Sequence, residues 1–161
     1  MQLRGLRSTD SSQIQAIYNY EVLNTLATLD LTPRDGALQD AWMKEHSGIH
    51  TAVVCAEGDH VLGYASISPF RLRAGYSTSV ENSIYVHRDA RRRGIGRLLL
   101  DEITRVASVH GFHTCIARVV ATQAPSIELH KACGFQLIGV EREIGRKFGQ
   151  WIDIALLQKM L

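Results

Sequence analysis

The chain has 161 residues, 45% of them hydrophobic and 21% charged, with a formal net charge of +2. That length suits one domain around one core, and the composition argues against a disordered chain and against a membrane-spanning helix, which needs ~20 consecutive apolar residues. The small net charge gives no expectation of nucleic-acid binding. Met1 to Arg7 holds no apolar stretch of signal-peptide length, so a cytoplasmic protein is expected.

In chain order, residues 2 to 7 read as a short strand, and Asp10-Ser11-Ser12-Gln13 reads as a capping box ahead of Ile14, Ile17 and Tyr18 at helical spacing. Thr32-Pro33-Arg34-Asp35 then predicts a second, shorter helix, with threonine as cap, proline at the first position and Leu38, Ala41 and Trp42 on one face. Ile49 to Glu57 and His60 to Ser68 form a predicted hairpin about Gly58-Asp59. Ser79 to His87 alternates as a strand, and Ile95, Leu98, Leu99, Ile103, Val106 and Ala107 mark a helix that stops at Gly111.

Thr114 to Val120 is a further strand, and Ser126 to Cys133 a short helix closed by Gly134. Two strands, about Gln136 to Glu143 and Gln150 to Lys159, flank Gly145 to Gly149. The order β-α-α-β-β-β-α-β-α-β-β predicts an α/β chain of the mixed α+β kind: a mixed, mostly antiparallel central sheet flanked by helices. Cys55, Cys115 and Cys133 are odd in number and lack a C-x-x-C pair, so they read as buried thiols, with no metal site expected. Trp42 and Trp151 read as core residues.

Positive charge concentrates at Arg88, Arg91, Arg92, Arg93 and Arg97, around Gly94-Ile95-Gly96 and just ahead of the long helix. Glycines there let backbone N–H groups approach a ligand, and the helix directs the positive end of its dipole at the same point. The spacing fits neither of two better-known phosphate turns. A dinucleotide fingerprint needs glycine where Leu99 stands, and a P-loop needs lysine followed by serine or threonine where Arg97-Leu98 stand. From the glycines alone, a solvated basic turn ahead of a helix is the simpler reading.

The context changes this. Arg91 to Gly96, preceded by Ile84-Tyr85-Val86-His87 and followed by Ser126-x-x-Leu129-His130-x-x-x-Gly134-Phe135, resembles the GNAT superfamily of acetyl-CoA-dependent N-acetyltransferases. Tyr18-Asn19, Gly63-Tyr64-Ala65, Val80-Glu81-x-Ser83-Ile84-Tyr85-Val86 and Lys147-Phe148-Gly149-x-Trp151-x-Asp153 are similar, more specifically, to its phosphinothricin and methionine sulfoximine branch. The resemblance covers nearly the whole chain.

It implies acetyl-CoA as the cofactor, with its pyrophosphate on Arg91, Arg92, Arg93, Gly94, Ile95 and Gly96 and its pantetheine arm along Ile84, Tyr85 and Val86. Arg88, Arg92 and Arg97 are candidates for the ribose phosphate. Gln123, where the family often has asparagine, and Ser126 would complete the cofactor contacts. Glu81 matches the family's catalytic glutamate and is the candidate general base for direct transfer. His130 stands where many relatives use a tyrosine to protonate the departing thiolate, although a histidine on a helix face is as readily a packing residue. Oxyanion stabilisation is expected from a backbone N–H near Tyr85 to Val86.

Phe70, Arg71, Arg73 and Tyr76 lie between the hairpin and Glu81 and could line the acceptor side, an arginine there binding a carboxylate bidentately. Thr28, Lys147 and Phe148 could complete that pocket. The implied acceptor is the primary amine of a small amino acid or its analogue, and the implied assembly a homodimer. Arg146 replaces a tyrosine of some phosphinothricin-specific members and leaves the acceptor open. A protein or peptide acceptor, and an acyl-CoA-binding module without turnover, are the alternatives.

Overall fold

In the computed structural model, which describes residues 1–161, one seven-stranded sheet has the order β1-β2-β3-β4-β5-β7-β6. Its strands are β1 (Gln2–Gly5), β2 (Ala52–Glu57), β3 (His60–Pro69), β4 (Ser79–Val86), β5 (Thr114–Val120), β6 (Gln136–Lys147) and β7 (Gln150–Met160). The helices are α1 (Ser11–Asn24), α2 (Gly36–Glu45), α3 (Ile95–Val109) and α4 (Ala124–Ala132). Every pairing is antiparallel except β4 with β5, which α3 connects as a crossover. The mixed, mostly antiparallel sheet expected from the element order is the one observed.

Strand alternation assigns the two faces. Val53, Cys55, Ala65, Ile67 and Val80 pack with Leu99, Leu100, Ile103 and Ala107 of α3 in the larger core. The intervening residues Ala52, Val54, Ala56 and Tyr64 meet Ile14, Ile17 and Trp42 of α1 and α2 on the other face. All three cysteines are buried and free.

Two helix starts differ from expectation. Asp10 does not cap α1 with its side chain; its carboxylate accepts from the Arg7 amide at 2.9 Å and pairs with both Arg4 guanidinium nitrogens at 2.7 Å, which closes a 3-10 turn over Ser8–Asp10. The cap of α2 is Asp35, whose carboxylate accepts from the Leu38 amide at 2.8 Å, while Thr32 and Pro33 stay outside the helix. They are held out because Asn19 and Gln15 of α1 take the Arg34 backbone: Asn19 accepts from its N–H at 2.8 Å, and both amides donate to its carbonyl. Asp35→Ala is therefore expected to cost ~1 kcal/mol, read as a lowered midpoint in denaturant with an unchanged slope.

Further differences concern boundaries and one side chain. β1 ends at Gly5, β2 begins at Ala52, and α4 begins at Ala124, with Pro125 in its first turn, where a missing N–H costs nothing. β6 and β7 run on to a turn of only Phe148-Gly149 because Arg142 to Ile144 bulge out of β6 and absorb the irregularity expected at the tip. Trp151 is 61% exposed and so is no core residue; it lies opposite Arg146 beside the outer strand.

Candidate active site

The parallel pair is short. Ser79 to Glu81 pair with Thr114 to Ile116; beyond them β4 keeps β3 and β5 keeps β7, and the two strands no longer bond each other. The sheet thus opens a V whose inner edge on β4 is Asn82 to Val86. Such an edge can accept an extended, amide-bearing chain as an added strand. Asn82 fills the apex, donating to the Ile116 carbonyl at 3.2 Å.

The wide end of the V leads to the basic turn. Arg92 and Gly94 have φ of 60° and 77°, a left-handed alternation that turns successive N–H groups toward one side. In this stretch the first N–H with a backbone acceptor is that of Leu98, on Gly94, so the N–H groups of residues 92–97 are free to converge on an anion. The arginine side chains are more engaged than their number suggests. Arg91 pairs with buried Glu21, Arg93 with Glu57 at 2.5 Å, Arg97 with Asp101 at 3.6 Å and Arg88 with Asp89 at 3.9 Å. Arg92 alone of this group has no carboxylate partner, so the backbone makes the seat and the guanidinium groups surround it.

Glu81 sits at the closed end of the V, half-buried, on the sheet face that carries α1 and α2. Burial raises its pKa above the ordinary carboxylate range; the Arg118 charge opposes this, Glu141 adds to it, and Arg71 opposes it more weakly. Arg118 and Glu141 themselves pair at 2.5 Å, so the arginine nearest in effect is already shared. A carboxyl with a raised pKa near a cleft is suited to taking a proton from an amine.

His130 is 2% exposed. Its Nδ1 lies 2.8 Å from the Ser126 carbonyl and its Nε2 3.2 Å from Oδ1 of Asn82, both acceptors. A ring with one proton can satisfy one of them, and burial lowers its pKa toward that neutral form. Turning the Asn82 amide over would give Nε2 a donor at the expense of the bond to Ile116. The ring thus reaches the apex through Asn82. Ser126 bonds it from within α4, and Gln123, half-buried, precedes α4 with its carbonyl taken by the Ser126 and Ile127 amides.

The acceptor-side residues divide into two groups. Phe70 and Tyr76 meet edge to face at 5.7 Å, with the Arg71 guanidinium 4.9 Å from the Phe70 ring; Arg73 is exposed beside them. Thr28 and Lys147 lie elsewhere, Thr28 on the loop between α1 and α2 and Lys147 at the end of β6 against it. Lys147 is 2% exposed, and its ammonium donates to the Thr28 carbonyl at 2.7 Å and to the Glu21 carbonyl at 3.4 Å, so it fastens the loop instead of facing a cleft. Phe148 is exposed at the β6–β7 turn. Three residues that the sequence patterns left without a role sit here: Asp30, bonded by the Tyr18 hydroxyl; Glu21, which ties Arg91 to this loop; and Arg34, stacked 3.7 Å above the Tyr18 ring. Tyr18-Asn19 was the available signal, but nothing in it names Arg34 as partner.

A parallel pair splayed beside an anion-binding turn defines an acyl-CoA-dependent transferase of one fold class, and the comparisons agree. The family model described as an acetyltransferase (GNAT) domain matches residues 3–156. The chain is 36% identical over 158 residues, 97% of its length and 92% of the relative's, to an L-methionine sulfoximine/L-methionine sulfone acetyltransferase of Pseudomonas aeruginosa. Among solved structures it resembles a phosphinothricin acetyltransferase of Sinorhizobium meliloti in complex with acetyl-CoA (37% identity, TM-score 0.95, 99% and 88% of the two chains). It also resembles a ribosomal-protein-alanine N-acetyltransferase of Brucella melitensis (37%, 0.97, all of both chains).

The chain belongs to the GNAT family and is an acetyl-CoA-dependent N-acetyltransferase. No helix is long and apolar enough to cross a membrane.

Proposed function

We propose that this enzyme transfers acetyl from acetyl-CoA directly to the primary amine of a small amino acid or analogue of the methionine sulfoximine and phosphinothricin type. The observation that carries this reading is Glu81, a carboxylate of raised pKa at the closed end of the V, on the face opposite α3 and α4. The pyrophosphate takes the N–H groups of residues 92–97, and the pantetheine pairs along Ile84 to Val86. The thioester then lies toward the apex, within reach of an amine delivered to Glu81. Glu81 removes the amine's proton as nitrogen attacks the thioester carbon; the tetrahedral intermediate collapses to amide and thiolate, and the thiolate takes up a proton. A β4 N–H facing the V stabilises the oxyanion. His130 holds the apex through Asn82.

Arg71 or Arg73 would bind the acceptor carboxylate. Two features support the reading: the similarity to the Pseudomonas methionine sulfoximine acetyltransferase, and a half-buried base with Phe70, Arg71 and Tyr76 clustered on the segment leading to its strand. A homodimer working in the cytoplasm completes the proposal. Leu137, Ile138, Val140, Ile144, Phe148 and Trp151 are all about half exposed or more along the β6–β7 edge, which a second copy would cover.

Release of CoA, followed with a thiol reagent across a panel of amino acids, tests the acceptor class. The Brucella similarity favours one alternative, a protein N-terminal alanine, so alanine-starting peptides belong in the panel; turnover confined to them overturns the amino-acid reading. The same assay checks the seat. Gly94→Ala forces φ of 77° on a residue with a Cβ, although that Cβ meets no protein atom, and KM for acetyl-CoA is expected to rise about tenfold at nearly unchanged kcat.

A further inference from the structure

Between β3, β4 and the two N-terminal helices lies a cavity of about 200 Å³. Ser68 of its lining is the cross-strand partner of Glu81, and Ser66 and Ser83, themselves partners, form the next layer on the same face. The Tyr64 and Tyr85 pair forms the layer beyond. The cavity therefore begins beside the proposed base and runs along the strands.

Its far end is built for a hydrogen-bond acceptor. Tyr64 is 1% exposed, and its hydroxyl is the one buried side-chain polar atom without a hydrogen-bond partner. Burial pushes its pKa up, so it stays a neutral donor. The Arg34 guanidinium lies 3.7 Å above the Tyr18 ring and 5.0 Å from that of Trp42, with no carboxylate paired to it and one long contact, 3.4 Å, to the Gln39 side chain. Its backbone is held on both sides by Asn19 and Gln15, and the half-buried guanidinium is positioned by the two rings. Burial lowers the pKa of His46 and so favours its neutral form, in which Nδ1 donates to the Trp42 carbonyl and Nε2 accepts from Ser68. Exposed Glu45 also lines the cavity, which leaves one cation and one carboxylate facing it.

We propose that this cavity receives the side chain of the acceptor amino acid and selects a compact head bearing hydrogen-bond-accepting oxygens, a sulfone, sulfoximine or phosphinate, through Arg34 and the Tyr64 hydroxyl. The proposal rests on the amino-acid reading given above. Tyr64 stands opposite Tyr85, four residues or about 13 Å along the strand from Glu81, and a side chain of two methylenes carries its head roughly 5 Å from the amine, so the long Tyr64 and Arg34 side chains have to span the remainder across the Ser66–Ser83 layer. One cation balanced by one carboxylate suits a neutral or singly charged head and disfavours a polyanion.

The test compares methionine sulfone with norleucine, which has a similar chain and no such oxygens, in wild type, Tyr64→Phe and Arg34→Met. The ratio of kcat/KM for sulfone over norleucine is expected to exceed ten in the wild type, to fall about fivefold in Tyr64→Phe, and to fall tenfold or more in Arg34→Met. Tyr64→Phe removes only a hydroxyl that faces the Arg34 guanidinium without a well-formed hydrogen bond, so its melting temperature is expected to stay close to wild type, and it remains informative if Arg34→Met does not fold. An unchanged ratio in Tyr64→Phe overturns the proposal. So does an equal loss for both amino acids in Arg34→Met that disappears with their carboxamides, because Arg34 would then bind the α-carboxylate. Calorimetric titration of methionine sulfone into CoA-saturated protein separates the two readings. Binding that weakens in Tyr64→Phe without turnover in the wild type strikes the transfer reading alone, whereas no binding overturns the cavity.

Discussion

Glu81→Gln is expected to lower kcat by ~10²- to 10⁴-fold, the range for loss of a positioned general base, with little change in the affinity for acetyl-CoA. The amide keeps the side chain's shape and removes its ability to take a proton. Wild-type kcat/KM should rise with pH through the raised pKa of Glu81 and through that of the amine, and the Gln variant should lose the first of these. The linked effect on stability has the opposite sign to most carboxylates. Because burial raises the folded pKa above the unfolded one, Glu81 favours folding when protonated, and this contribution is lost as pH rises through the folded pKa. Once ionised, the group is therefore a burden on the fold, and Glu81→Gln should melt no lower than wild type. A folded variant that keeps most of its turnover removes Glu81 from the role of base.

The sequence patterns carried the element order because apolar runs and helical periods are bounded by turn residues: Ala52 to Ala56 is a continuous Val- and Ala-rich run ahead of Gly58, and Leu99, Ile103 and Ala107 recur on one face of α3. They misplaced what depends on which of several polar residues reaches an amide first. Asp10 and Ser11, or Thr32 and Asp35, are equally good caps by type; the choice is made by Arg4, which draws the Asp10 carboxylate away, and by Asn19, which fixes Arg34 ahead of α2. The site shows the same division. Arg91 to Gly96 and Glu81 announce themselves by local spacing, and the V beside them follows from one short parallel pairing. The partnerships of Arg91 with Glu21, Lys147 with Thr28, and Arg34 with Tyr18 span separate elements and have no local period. The exposure of Trp151 was hidden for a related reason: a β6 edge that could be covered by another chain has the composition of a core.

These partnerships make one unit of the two ends of the site. Glu21, buried in α1, holds Arg91 of the pyrophosphate turn by its carboxylate, and its carbonyl shares the Lys147 ammonium with that of Thr28. Leu29 of the same loop rests on Gly145, where a Cβ would come within 2.6 Å of it. The loop that flanks the proposed acceptor cavity is thus fastened to β6 on one side and to the basic turn ahead of α3 on the other.

The largest structural effect is expected from Gly63→Ala. Gly63 lies on β3 opposite Val86, and a Cβ there would stand 2.8 Å from the Tyr85 carbonyl oxygen and 3.1 Å from the Val86 Cα. Both atoms are backbone, so no rotamer change relieves the overlap, and the Leu99 side chain at 3.2 Å closes the remaining direction. Relief requires β4 to move away from β3, at roughly 1–3 kcal/mol for overpacking, or a melting temperature lower by about 3–10 °C. The strand that moves is the one whose other edge is proposed to pair with pantetheine, so KM for acetyl-CoA is expected to rise as well, about tenfold. Gly75→Ala is the control, because a Cβ there meets nothing within 4 Å and φ is not in the left-handed region. Scanning both variants with and without saturating acetyl-CoA separates the two effects: the control should melt like wild type in both conditions. Gly63→Ala should melt low and gain less from the ligand, since stabilisation by binding falls with affinity. Equal ligand-induced shifts in Gly63→Ala and wild type would show that β4 can yield without disturbing the cofactor edge, and would place the pantetheine elsewhere.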